Sequence, residues 1–305
     1  MTDQLILHSY DASPFTQKAL RMLGLKGLSW SWVETPMILP KPELVVLTGG
    51  YRGTPVLQVG ADIYIDNQRI AVELEDRFPE PSLYPFGNRG LGQAMVVWAN
   101  AFFRAGLHMI IGLQSSEWPE EFLADRKALF DDLDFDAIST ELDQARSQLC
   151  ALASQLNSQL SDGRLFLEGD KPSLADIHAF SVPWFARPAM AEVNELLESL
   201  VYLPPWETRI AELGEGQREP IPATQAHAVA KSSVSKTRAG VDSNDAQGLK
   251  VGQTVVVEPD DSRRGGVTGA VVAASPNEIA IGHENDSVGE VVVHFPRLGY
   301  RVSPV

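Results

Sequence analysis

Residues 53–78 read GTPVLQVGADIYIDNQRIAVELEDRF, and their hydrophobic period changes once. Up to Ile65 the pattern is that of two short strands, Pro55–Val59 and Asp62–Ile65, joined by a Gly60-Ala61 turn. From Asp66 onward the apolar residues Ile70, Leu74 and Phe78 recur every fourth position, the spacing of one helix face. Asp66 or Asn67 supplies the side chain for the N-terminal cap. A hairpin running directly into a helix is therefore expected, with a proline opening the first strand behind Gly53-Thr54.

Toward the N-terminus, Leu5-Ile6-Leu7 reads as a strand and Pro14 to about Leu23 as a helix. The proline suits the first turn, where its missing N–H is not needed. A strand at about Ser29–Glu34, a Pro-interrupted loop, a short helix near Pro42–Leu47 and a Gly49-Gly50 turn complete the order β, α, β, α, β, β, α over residues 1–85.

Residues 88–214 show no convincing strand, and helix-compatible stretches such as Gly90–Ile111 and Phe135–Leu160 dominate. Within them Ser173 and Asp176 have capping-box spacing ahead of the nearly all-apolar Ile177–Phe185, which predicts a helix at the centre of its domain. Residues 215–248 hold little to bury and read as a linker. In residues 249–305 the runs Val255–Val257, Val267–Ala274, Ile279–Ile281 and Val291–Phe295 alternate with turn residues. A small five-stranded β-barrel of SH3-like type is expected. A unit of that size is marginal alone, so docking onto the helical domain is expected. The fold class is thus α/β, then all-α, then small β.

The composition, 44% hydrophobic and 21% charged, is that of a globular protein. A net charge of −15 argues against nucleic acid as a partner, because phosphate binding draws on clustered Lys and Arg. No apolar run approaches the roughly 20 residues that span a bilayer, so no membrane partner is expected. The start MTDQLILHSYDASPF lacks the features of a secretory signal, and a cytoplasmic location is expected. Cys150 stands alone and cannot form an internal disulfide. The histidines show no metal-ligand spacing, so no metal is expected. Arg263-Arg264-Gly265-Gly266 reads as a loop tip.

The chemistry concentrates in residues 10–18, YDASPFTQK, where a loop leaves the first strand and opens the first helix. A helix N-terminus offers unpaired N–H groups and about half a positive charge, which favour an anion such as a thiolate. Ser13 either caps this helix or also donates a hydrogen bond to that anion. A free thiol has a pKa of about 8.5, and each unit of depression favours the thiolate by ~1.36 kcal/mol. Gly53-Thr54-Pro55 and Asp66-Asn67 are the second and third sites, each with a bland reading as a turn or a cap.

In this order and spacing the three sites resemble those of the cytosolic glutathione S-transferase superfamily. SPFTQKALRMLGLKGL, GGYRGTPVLQVGADIYIDNQRIAVELEDRFP and the Ser173–Asp176 capping box carry the resemblance, which covers about Leu5 to Leu213. It implies a thioredoxin-like, glutathione-binding N-terminal domain with a cis-proline turn at Pro55, followed by the family's helical domain. By that resemblance Ser13 stands where the serine/cysteine-type enzymes place their catalytic residue, and Tyr10 is the alternative hydroxyl. Thr54 and Pro55 would contact the cysteinyl part of glutathione, and Asp66 and Asn67 the γ-glutamyl group. Arg52 and Lys41 would lie toward the glycyl carboxylate. Asn67 replaces the family's usual serine.

Trp98, Phe102, Phe103 and Met109 are expected on a helix facing the substrate pocket, although aromatic residues at helical spacing also serve as core. The implied activity is activation of the glutathione thiol, as co-substrate, for attack on a small electrophile. The alternative is a catalytically weak binding or scaffold protein whose β domain recognises a partner. A homodimer follows by family analogy.

Overall fold

A computed structural model describes residues 4–130, 133–261 and 265–305; Arg263 and Arg264 lie outside the described residues. The chain opens with β1 (Leu5–Ser9), α1 (Pro14–Leu25), β2 (Ser29–Glu34), α2 (Pro42–Thr48), β3 (Val56–Val59), β4 (Asp62–Ile65) and α3 (Asp66–Arg77), the expected order. β1 runs parallel to β2 and antiparallel to β3, which pairs antiparallel with β4. Strand alternation divides the apolar residues between two faces. Leu57 and Tyr64 pack with Leu20, Leu23 and Ile70 of α1 and α3, while Val56, Ile63 and Ile65 pack with Leu44 and Leu47 of α2.

The helical domain comprises α4 (Arg89–Gln114), α5 (Glu120–Leu129), α6 (Phe135–Thr140), α7 (Leu142–Gln159), α8 (Leu174–Ala186), α9 (Ala191–Glu198) and α10 (Leu203–Ala211). Helix α8 is central, packing against both α4 and α1. Its capping box is formed: Asp176 Oδ2 accepts from the Ser173 amide at 3.0 Å, and Ser173 Oγ accepts from the Asp176 amide at 3.5 Å. Asp176 Oδ1 also accepts from the Leu167 amide and from Trp206 Nε1, each at 2.8 Å. A fully buried carboxylate is thereby satisfied from three elements. One expectation needs correction here. The span Arg89–Glu117, α4 and the turn after it, is long and apolar enough to cross a membrane by length and composition. Its Phe102, Ala105 and Met109 lie instead in the core of the helical domain.

Residues 215–248, expected as a linker, contain β5 (Gln217–Pro220), α11 (Ala223–Ser232) and β6 (Gly240–Val241). Strand β5 extends the first sheet parallel to β2. The Arg218 guanidinium lies 3.5 Å from the Trp32 ring centroid and 2.9 Å from Asp11. Helix α11 sets Ala226 on Ile6 and Val33. Alanines and a stacked arginine share this packing with Ile221 and Val229, so few large apolar residues mark the segment, which is why composition alone reads it as a spacer.

The last unit comprises β7 (Thr254–Pro259), β8 (Val267–Ser275), β9 (Glu278–Asn285), β10 (Gly289–Pro296) and β11 (Tyr300–Pro304). Consecutive strands β7 to β10 pair antiparallel and β11 returns beside β7, the strand order of an SH3-like unit. Its docking differs from expectation. Rather than sitting on the helical domain, it pairs β10 in parallel with β4, making one continuous 11-stranded sheet. The N-terminal domain leaves the β4 edge open and an apolar face beside it, and an open edge is a site for strand addition. Val255, Val271, Ile281 and Val293 join Leu47, Val56, Ile63 and Ile65 in one core.

Candidate functional site

Ser13 is the N-cap of α1, with extended backbone that turns the chain from β1 into the helix. Its Oγ accepts from the Thr16 amide at 3.3 Å, so capping engages the oxygen and leaves the hydroxyl proton to be donated elsewhere. The residue lines a cleft of about 380 Å³ between the N-terminal and helical domains. Tyr10, Lys41, Arg52, Thr54, Pro55, Asp66, Asn67 and Phe103 line the same cleft. The Thr54–Pro55 peptide is cis. Gly53 is dictated by close approach: a Cβ there would lie 2.4 Å from Tyr51 Oη.

Asp66 begins α3 with φ of 70°, left-handed backbone that is uncommon outside glycine. Its Oδ1 accepts from the Gln68 amide at 3.0 Å. Asn67 is buried, donates from Nδ2 to the Phe15 carbonyl at 3.0 Å, and keeps Oδ1 buried without a hydrogen-bond partner among the described residues.

The cleft floor is cationic. Lys41, also buried, has its ammonium 5.3 Å from the Tyr10 ring centroid. Burial, reinforced by Arg126 and Arg52 and opposed by Asp125, lowers its pKa to about 8. Asp125 of α5 accepts from Arg52 at 2.5 Å and from the Leu39 amide at 3.0 Å, tying the helical domain to the loop before α2. Three cations thus surround one carboxylate, a setting that attracts an anionic group despite the acidic net charge.

The opposite wall is aromatic. Phe15 and Phe103 lie 5.0 Å apart, Phe103 and Phe185 6.0 Å, and Trp118 and Phe122 5.2 Å. The structure corrects three of the expected pocket residues. Phe102 and Met109 are fully buried in the helical core, and Trp98 packs against that core, stacked on Phe102 and donating to Gln155 Oε1 at 3.0 Å. Helical geometry is the reason. At about 100° per residue, positions 98, 102 and 109 share one side of α4, whereas 103, 107, 110 and 114 share another. Phe103, Leu107, Ile110 and Gln114 line the cleft. Trp118, Phe122 and Arg126 were not anticipated, although their i, i+4, i+8 spacing beside a helix with acidic neighbours is a legible stripe. Pro259 was out of reach of sequence, because it enters from the last unit.

A thioredoxin-like domain with a cis proline beside a hydroxyl-capped helix, joined through a cleft to an all-helical domain, is the architecture of the glutathione S-transferase superfamily. This chain belongs to the glutathione S-transferase superfamily. Residues 7–82 match the glutathione S-transferase N-terminal domain family. A solved GST-like protein from Pseudomonas syringae is 32% identical, with a TM-score of 0.81 and 100% of both chains covered, so the last unit belongs to an architecture the two share. A glutathione transferase family member from Pseudomonas fluorescens pf-5, with two glutathione bound, is 14% identical over 70% of this chain and 88% of that one, with a TM-score of 0.51. A glutathione S-transferase of Ceriporiopsis subvermispora in complex with glutathione is 19% identical over 69% and 96%, also with a TM-score of 0.51. These two show the fold alone. Comparison with curated proteins finds no match.

Proposed function

We propose that this protein binds glutathione along the N-terminal side of the cleft and activates its thiol for attack on an electrophile held against the aromatic wall. The observation that carries this reading is the Ser13 hydroxyl, placed at the N-terminus of α1 and facing the cleft that also holds Thr54, Asp66 and the cationic floor. The residues fit the tripeptide from end to end. Asp66 and Asn67 present polar atoms for the γ-glutamyl group, the Thr54–Pro55 turn offers backbone for the cysteinyl unit, and Lys41 with Arg52 faces the glycyl carboxylate.

The hydroxyl proton of Ser13 and the amides of the first turn stabilise the thiolate, and the cleft holds it next to its electrophile. Two glutathione-bound family members support the choice of thiol. The test compares glutathione-dependent conjugation of an aromatic electrophile by wild type and Ser13→Ala. Depressing the thiol pKa by one or two units corresponds to about a 10- to 100-fold loss of kcat/KM in the variant. Undiminished activity in Ser13→Ala removes the hydroxyl from the mechanism.

A further inference from the structure

The loop that carries Ser13 is held from its outer side by the segment that follows the helical domain. Tyr10, Ala12 and Ser13 line the cleft, whereas the Asp11 side chain is 56% exposed and meets Arg218 of β5. Both acceptor groups of Asp11 are bound. Its carbonyl accepts from Gln17 Nε2 at 3.0 Å, and each carboxylate oxygen accepts from one terminal nitrogen of the Arg218 guanidinium, at 2.9 and 3.0 Å. Glu215 lies 3.8 Å from the same guanidinium.

Arg218 is itself fixed. Strand β5 sets it opposite Trp30 of β2, and its guanidinium stands 3.5 Å from the Trp32 ring centroid and 5.8 Å from that of Trp30. The two indoles seat both sides of the contact. Trp30 Nε1 donates to the Glu215 carbonyl at 2.7 Å, and Trp32 Nε1 donates at 3.3 Å to the carbonyl of Ser9, where the loop leaves β1. A second route runs through α1. Arg21 donates to the Gly214 carbonyl at 2.7 Å and to Gln17 Oε1 at 3.4 Å, and Gln17 holds the Asp11 carbonyl. The segment 214–218 therefore reaches the loop twice, and both routes end at Asp11, just ahead of Ser13.

A partly exposed ion pair adds little to stability, but a two-pronged arginine–carboxylate contact fixes orientation as well as separation. Orientation is what this loop needs. The bond from the Thr16 amide to Ser13 Oγ, at 3.3 Å, is long for an N–H···O bond, so capping by itself sets the hydroxyl loosely. We propose that Arg218 is a positioning residue for Ser13, acting through Asp11 to hold the loop against α1 so that the hydroxyl meets the thiol sulfur. This rests on the glutathione reading above and deepens it: residues beyond the helical domain tune the thiol activation that the N-terminal domain performs.

The experiment uses the full-length chain as wild type, Arg218→Leu, Asp11→Asn, Ser13→Ala and the two double variants with Ser13→Ala, each checked by thermal melting. Conjugation of chlorodinitrobenzene is followed at saturating glutathione. Arg218→Leu and Asp11→Asn should each lower kcat/KM for the electrophile by about 3- to 10-fold near pH 6.5, with KM for glutathione within about twofold of wild type. The loss should shrink toward about pH 9, where the thiol ionises without help. In the Ser13→Ala background either substitution should change kcat/KM by less than about twofold, because the group it positions is gone. Wild-type kcat/KM in either single variant overturns the proposal. So does the same fold-loss with and without the Ser13 hydroxyl, which marks a purely structural role. Should Arg218→Leu not fold, Asp11→Asn decides, because it changes an exposed side chain and leaves Arg218 on Trp32. Undiminished activity in Ser13→Ala sinks the functional reading itself, a separate result from a Ser13-dependent enzyme that Arg218→Leu and Asp11→Asn leave unchanged.

Discussion

His294 Nε2 on β10 stands 3.2 Å from Asp62 Oδ1 on β4, so the seam between the last unit and the N-terminal sheet is an ion pair as well as a strand pair. Glu278 holds the other ring nitrogen, and the Tyr64 ring stacks on the imidazole at 4.5 Å. Burial alone would lower the His294 pKa, but the Asp62 and Glu278 carboxylates outweigh it and raise the value above 6.5. Burial likewise pushes Asp62 upward, and bonds from His294, Ser235 and the Lys236 amide overcome it and hold the carboxyl at about 2.

The seam should therefore impose a pH window on stability. A raised histidine stabilises the fold fully below its ordinary 6.5 and loses that contribution as pH rises through its higher folded value. A depressed aspartate stabilises fully above its ordinary 3.8 and loses it as pH falls toward about 2. We expect the stability difference between wild type and His294→Gln, from chemical denaturation, to be largest at about pH 5–6 and to shrink steadily toward pH 9. Asp62→Asn, which leaves the buried His294 with Glu278 as its remaining carboxylate, should cost about 1–3 kcal/mol near pH 6. A difference that does not vary between pH 5 and 9 would show that the pair is not ionised as described.

Phe102 and Phe103 are neighbours with opposite duties. Phe102 is fully buried in the helical core, so Phe102→Ala should cost about 3–5 kcal/mol in denaturant unfolding. Phe103 lines the cleft, and Phe103→Ala should cost less stability while raising KM for an apolar electrophile by about 10-fold, as expected from loss of an aromatic contact. Equal stability losses in the two variants would contradict the division of α4 into a core side and a cleft side.

Lys41 should make anion binding pH-dependent. Its pKa is lowered to about 8, so its charge is lost as pH rises through that value and its attraction for a carboxylate goes with it. Inhibition by S-methylglutathione, which has no titrating thiol, should weaken between pH 7 and 9 in wild type. In Lys41→Arg the guanidinium stays charged and the weakening should be smaller. Identical pH profiles for the two proteins would exclude Lys41 from the anion site.

The local signals were legible because they are local. The period change after Ile65, the proline ahead of β3, the Ser13 cap and the Ser173–Asp176 box each depend on residues a few positions apart, and each has the form the sequence predicts. The candidate site was legible to the same depth: Ser13, Thr54, Pro55, Asp66 and Asn67 lie on turns and helix starts whose geometry short-range rules govern. The α4 aromatics were harder, since residues one position apart point about 100° apart and only the neighbours of the helix decide which side meets the cleft.

By itself the sequence determined a thioredoxin-like domain, a helical domain, a small β unit and the hydroxyl-bearing loop that opens α1. The tertiary structure alone decided where that β unit sits. The pairing of Val293 with Ile63 and the approach of Tyr300 to Asp66 join residues more than 200 positions apart. Nothing in either segment encodes its partner beyond an open strand edge and an apolar face. Such features become specific only when two folded surfaces meet, and here they bring Pro259 of the appended unit to the lining of the cleft.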